Sequence, residues 1–213
     1  MTDLRLTLAT DGPADQVLLR PVTWLLRQHV SATISLQPQW ADLRPVRAKP
    51  RTLGEKIETA LDLYPCDLLL VHRDAERQAP DDRYREIDDA ISKVSGALPP
   101  HVGVVPVRMT EAWLLFDEKA VRRAAGNPSG RDSLQIPVRD PENAADPKAL
   151  LHEALRSASG LTGRRLRKFN CRAAAARVCE YIEDFDALRA LVAFARLETD
   201  LLNVIHTQGW HRL

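Results

Sequence analysis

The chain has 213 residues, 28% of them charged, and its 30 Lys and Arg against 29 Asp and Glu leave a formal net charge of +1. That length suits one medium domain with a helical appendage, able to bury roughly 70% of its unfolded surface. The near balance of charge excludes a global field that recruits nucleic acid or membrane, so any basic surface must be local.

Cys66, Cys171 and Cys179 are odd in number and lack CxxC spacing, which argues against a disulfide framework or a thiolate zinc site and for buried thiols. The opening MTDLRLTLATDG carries acids where a signal peptide is apolar, and no stretch approaches ~18 consecutive apolar residues. The expected protein is soluble and cytoplasmic, without a membrane segment.

Leu4, Leu6 and Leu8 alternate with Arg5 and Thr7, which predicts a first strand running into the turn Asp11-Gly12-Pro13 and leaves Asp11 at its carboxyl end. A helix should follow, with Leu18, Val22, Leu25, Leu26 and His29 on one face; Pro21 must start it late or kink it. Ser31 to Leu36 predicts a second strand that points Ala32, Ile34 and Leu36 inward and ends before Pro38.

The loop RPVRAKPR then carries Arg44, Arg47, Lys49 and Arg51 between prolines. Its single charge sign fits a track for phosphates and equally a solvated connection. Thr52 followed by Glu55 is a capping-box pattern for a helix through Leu63.

Leu68 to Val71 is a continuous apolar run, as a strand covered on both faces requires, and His72, Arg73, Asp74 and Glu76 follow it directly. Asp74 and Glu76, two apart at a strand's carboxyl end, could share a hard cation such as Mg2+ or Mn2+ through their oxygens. The plainer reading makes Asp74 a helix cap and Glu76 a solvated acid. His72 has two readings as well, an edge residue of the core or a contact to substrate.

Tyr84, Ile87, Ala90, Ile91 and Val94 recur at helical spacing up to Gly96, and HVGVVPVRM after Pro99 and Pro100 predicts a fourth strand. Four strands alternating with three helices imply a largely parallel sheet with right-handed crossovers and helices on both faces. If Asp11 and Asp74 end adjacent strands, the acids face one crevice.

Thr110 to Trp113 opens the next expected helix, which stops at Gly126 and places Glu111 in its first turn, as a metal ligand or as a favourable partner of the helix dipole. Residues 127–146 form a long polar loop. Asp146 and Pro147 start a helix ending near Gly160. Beyond it Arg164, Arg165, Arg167, Lys168, Arg172 and Arg177 form the densest basic segment, suited to a nucleic-acid backbone or balanced by nearby acids. A last helix is expected from Phe185 to about His206.

LATDGPAD after strand one, LLLVHRDAE at strand three, VGVVPVRMTEAWLLFDEKAV and DPKALLHEAL together resemble the DUF4276 family of Toprim-like proteins, often considered alongside ATPase-linked phage-defence modules. The resemblance implies a Toprim-type crevice in which acids manage Mg2+ (or Mn2+) and phosphodiester chemistry. Carried onto this chain, Asp11 and Glu111 are the catalytic acids, and Asp74, Glu76 and Glu111 the metal ligands. From local charge, not from the resemblance, Arg73, Arg47, Lys49, Arg51, Arg164, Arg165, Arg167 and Lys168 are the expected nucleic-acid contacts.

Two residues depart from that pattern: Asp11 stands where it has Glu, and Glu76 where it usually has Asp. The implied organisation is a Toprim-like α/β core over 1–126, a polar loop over 127–148, and a helical extension over 149–213 packed on the core. The expected activity is Mg2+-dependent phosphodiester cleavage, with anti-phage defence as its setting. The alternative is a catalytically weak or inactive Toprim-like subunit that binds a partner such as an ATPase through its helical C-terminal half, supported by the weakened acid set and the long apolar last helix. A nucleotide-cofactor fold is disfavoured because neither G-x-G-x-x-G nor G-x-x-x-x-G-K-[ST] occurs.

Overall fold

The computed structural model of the protein describes residues 2–134, 136 and 141–211. Part of the expected polar loop, 135 and 137–140, lies outside the described residues. Four strands, β1 (Thr2–Ala9), β2 (Ile34–Trp40), β3 (Leu68–His72) and β4 (His101–Val104), form one all-parallel sheet in the order β2-β1-β3-β4. The α/β class is therefore as the sequence implies. Two compact units make up the chain, Met1–Val105 with Val192–Leu213, and Pro106–Leu191. The expected 1–126 core differs from the first unit in two places: the segment from Pro106 belongs to the second unit, and the terminal helix to the first.

In the first unit, strand alternation sorts side chains onto two faces. Leu69 and Val71 pack with Ile57 and Ala60 of α2 (Leu53–Leu63) and with Ile87, Ala90 and Ile91 of α3 (Pro80–Ile91). Leu6, Leu8, Leu68 and Leu70, in register across β1 and β3 and wholly buried, take the opposite face. On that side α1 (Leu19–His29) meets β2, the terminal helix meets β4, and the two helices touch. His72 shares the parity of Leu68 and Leu70.

A 3-10 segment, Pro13–Leu18, precedes α1. Pro21 therefore falls in the first turn of α1, where its missing N–H costs no intrahelical bond, and neither delay nor kink is needed. The second strand runs through Pro38 instead of ending before it, and Ala32 is exposed in the preceding turn. The Ala41 amide donates to the Leu8 carbonyl at 2.9 Å, so by alternation the Pro38 nitrogen faces away from β1 on an edge strand, where proline is tolerated. The capping box at Thr52 and Glu55 forms as expected.

In the second unit the single helix expected from Thr110 to Gly126 is two elements, a 3-10 segment Thr110–Leu114 and α4 (Glu118–Ala124). The Asp117 side chain accepts from the Ala120 amide at 3.0 Å and restarts the helix. The basic segment is likewise divided, into α6 (Gly163–Arg167) and α7 (Cys171–Tyr181), because Asn170 caps α7 through the Ala173 amide. Helices α4, α5 (Pro147–Ala158) and α7 pack on one another, and Trp113 and Phe185 are fully buried.

The expected last helix also divides, into a 3-10 segment Asp186–Ala190 and α8 (Val192–Thr207) in the first unit. Among the described residues no helix is long and apolar enough to cross a membrane.

Candidate metal centre

The strand order defines where a ligand crevice should lie. From β1 the chain passes to β2 on one side, and from β3 to β4 on the other, so the switch of direction falls between β1 and β3. Loops leaving adjacent strands part at such a point and open a crevice beyond the carboxyl ends. Asp11 and Asp74 do follow these two neighbouring strands, which meet at Ala9 and Val71.

Three residues at this edge form a group able to hold a metal ion: Asp15, His72 and Asp74, each offering one donor atom, with those atoms all within 4.8 Å of one another. His72 is the last residue of β3, and its side chain is 1% exposed. Its Nε2 lies 3.1 Å from Asp74 Oδ1, and its Nδ1 lies 3.8 Å from Asp15 Oδ2. Asp15, 14% exposed, stands on the 3-10 segment after β1; Asp74, 28% exposed, stands just beyond β3. One imidazole and two carboxylates are donors suited to a divalent ion. Depth and opening are both present, since the histidine is interior and the acids reach solvent.

The other acids expected here are engaged by cations. Asp11 pairs with Lys56 Nζ at 2.6 Å and with Arg73. Burial pushes its carboxyl up, but the Lys56 hydrogen bond and the charges of Arg73 and Lys56 outweigh that and hold it below the usual carboxylate range. A carboxylate so held is a weak base. Arg73 continues to Glu86 at 2.9 Å, Glu86 to Arg83 at 2.7 Å, and Arg83 to Glu76 at 3.4 Å.

Arg83 Nε also donates to the Asp74 carbonyl at 2.9 Å, which steadies the backbone beside the Asp15, His72 and Asp74 group. Glu76 has a left-handed backbone, φ 54°, and is largely exposed. Among the expected ligands Asp74 is thus in the group, while Glu76 is turned into the ion-pair ladder. Glu111 is in the second unit, on the segment Thr110–Leu114, and pairs with Lys148 at 3.3 Å.

Of the expected basic contacts, Arg73 is beside the crevice, bonded to Asp11. Arg47, Lys49 and Arg51 are exposed on the loop between β2 and α2. A cavity of about 180 Å3 there is lined by Thr10, Asp11, Trp40, Arg44, Lys49 and Lys56. Arg44 lies over the Trp40 ring at 5.3 Å and is bound to Asp42. Arg164, Arg165, Arg167 and Lys168 are exposed on and after α6 in the second unit.

Asp15 is not among the residues the sequence points to, and His72 reads there as a core-edge residue or a substrate contact, not as a metal ligand. The signal for His72 was its parity, since Leu68, Leu70 and His72 share a face and the last of them meets the crevice. For Asp15 it was Pro13, a helix-start residue that draws the DGPAD turn into a 3-10 segment.

Fold and site together define a doubly wound α/β protein with a candidate metal centre at its switch point. No protein-family model, curated protein or solved structure matches the chain.

Proposed function

We propose that the chain is a metal-dependent phosphodiester-cleaving protein of the Toprim-like kind its motifs resemble, acting on a nucleic-acid strand in anti-phage defence. The observation that carries this reading is the Asp15, His72 and Asp74 group beyond the carboxyl ends of adjacent parallel strands. That group would supply the site for a divalent ion, which when bound polarises a phosphoryl oxygen and lowers the pKa of an attacking water.

Arg44, Lys49 and Lys56, lining one cavity beside Asp11, supply cations for a backbone phosphate. Asp11 keeps Lys56 and Arg73 in place and is not the group that takes the proton. With a net charge of +1, binding must come from these local cations and weaken steeply with salt. The alternative, a catalytically weak or inactive subunit that binds a partner such as an ATPase through its helical C-terminal half, rests on the weakened acid set and on the apolar last helix, and burial lessens only the second of these. Phe194, Leu197, Leu201 and Ile205 of α8, a helix of the first unit, are buried.

The test is cleavage of single-stranded DNA, duplex DNA and RNA by metal-stripped protein with and without added Mn2+ or Zn2+. Cleavage that needs the ion and disappears in Asp15→Asn supports the reading. An ion that binds while all three substrates stay intact overturns the enzymatic part of it.

A further inference from the structure

We infer that His72 meets the ion through Nδ1 together with Asp15, that Asp74 orients the ring from the other nitrogen, and that the site therefore selects a transition ion over Mg2+. The inference rests on reading this group as a metal centre, and it assigns the three residues different tasks.

The two ring nitrogens face different carboxylates. Nε2 is 3.1 Å from Asp74 Oδ1, inside hydrogen-bond range. An ionised carboxylate only accepts, so that contact places the ring proton on Nε2 and the lone pair on Nδ1. Nδ1 faces Asp15 Oδ2 at 3.8 Å, too far for a hydrogen bond between these atoms. Two donors each ~2.0–2.2 Å from one ion can stand as much as about 4.4 Å apart, so the same spacing suits a shared ion.

The reverse assignment puts the ion between Nε2 and Asp74 and the proton on Nδ1, opposite an acceptor beyond bonding reach. Carboxylate, imidazole and metal in line is a common arrangement, in which the outer carboxylate fixes the tautomer and raises ligand basicity.

The fold supports that division. His72 is 1% exposed at the end of a fully buried strand, so its ring is held by packing. Asp74 follows two residues later, and the bond from Arg83 to its carbonyl fixes the local backbone. An imidazole donor suits Zn2+ and Fe2+ better than Mg2+, which prefers oxygen and water. The expected order is Zn2+ tightest, then Mn2+, then Mg2+.

Calorimetric titration of metal-stripped wild type, Asp15→Asn and Asp74→Asn with Zn2+, Mn2+ and Mg2+ tests this. Circular dichroism on each variant checks that it is folded, and nitrogen-15 NMR of the wild-type histidines at pH 8 supplies an independent readout. The expected results are Zn2+ binding at least ~10-fold tighter than Mg2+, no binding to Asp15→Asn, and affinity for Asp74→Asn reduced ~10–100-fold but retained. In the metal-free ring the proton should sit on Nε2, and Zn2+ should move the Nδ1 resonance.

Mg2+ binding as tight as Zn2+, loss in Asp74→Asn with retention in Asp15→Asn, or a proton on Nδ1 overturns the inference while leaving a metal centre in place. Absence of any binding to wild type overturns both.

Discussion

Tyr84 shows how one side chain sets a pH limit on stability. Its ring packs against Arg196, whose guanidinium carbon is 3.5 Å from the ring centroid, and burial pushes its phenol from 10 up to about 12. A pKa raised by folding means stability is fully present below pH 10 and is lost as pH rises toward 12. The hydroxyl is also buried without a hydrogen-bond partner among the described residues. Tyr84→Phe should therefore be neutral or slightly stabilising at pH 7, and should remove part of the loss seen at pH 11. Urea midpoints of both proteins at the two pH values check this; an identical alkaline loss in the variant contradicts it. At this scale the sequence is only half legible. Parity places His72 beside Leu68 and Leu70 from the residue pattern alone, but the approach of Asp15 depends on a 3-10 segment that periodicity does not reveal.

Gly103 decides how closely α3 lies on β4. A Cβ there would stand 2.9 Å from Tyr84 Cε1 and 3.3 Å from Ile87 Cδ1, both on α3. Because the ring is held by its own packing, Gly103→Ala should cost about 1–3 kcal/mol, as overpacking usually does. A thermal melt reads that loss, and an unchanged Tm would mean that α3 shifts freely on the sheet. Elements were most legible where their ends carried chemical signals, as with Thr52 and Glu55 on α2 or Asp146 and Pro147 on α5. They were least legible where an interior polar residue restarts a helix. Asp117 bonds an amide three residues on and splits a run that reads as one helix. Pro38 misled for a different reason, because its effect depends on β2 being an edge strand, and strand order is a property of the whole sheet.

At the scale of the molecule, the alternation of strands and helices was enough to imply a parallel sheet, while the order β2-β1-β3-β4 was not readable. That order makes β1 and β3 neighbours and so brings the 3-10 segment after one to the end of the other. The balanced charge has a consequence here too: with a net charge of +1, the proposed binding of a phosphate backbone would have to come from local groups of cations.

The most direct test of the candidate metal centre is thermal stability of metal-stripped wild type and Asp15→Asn with and without Zn2+ or Mn2+. An ion at ~100 times its dissociation constant should add ~2.7 kcal/mol, a rise of roughly 5–10 °C for a chain of this size. A rise of that order in wild type, absent in Asp15→Asn, is the predicted result. Equal melting of wild type with and without either ion, up to millimolar concentration, would contradict the account.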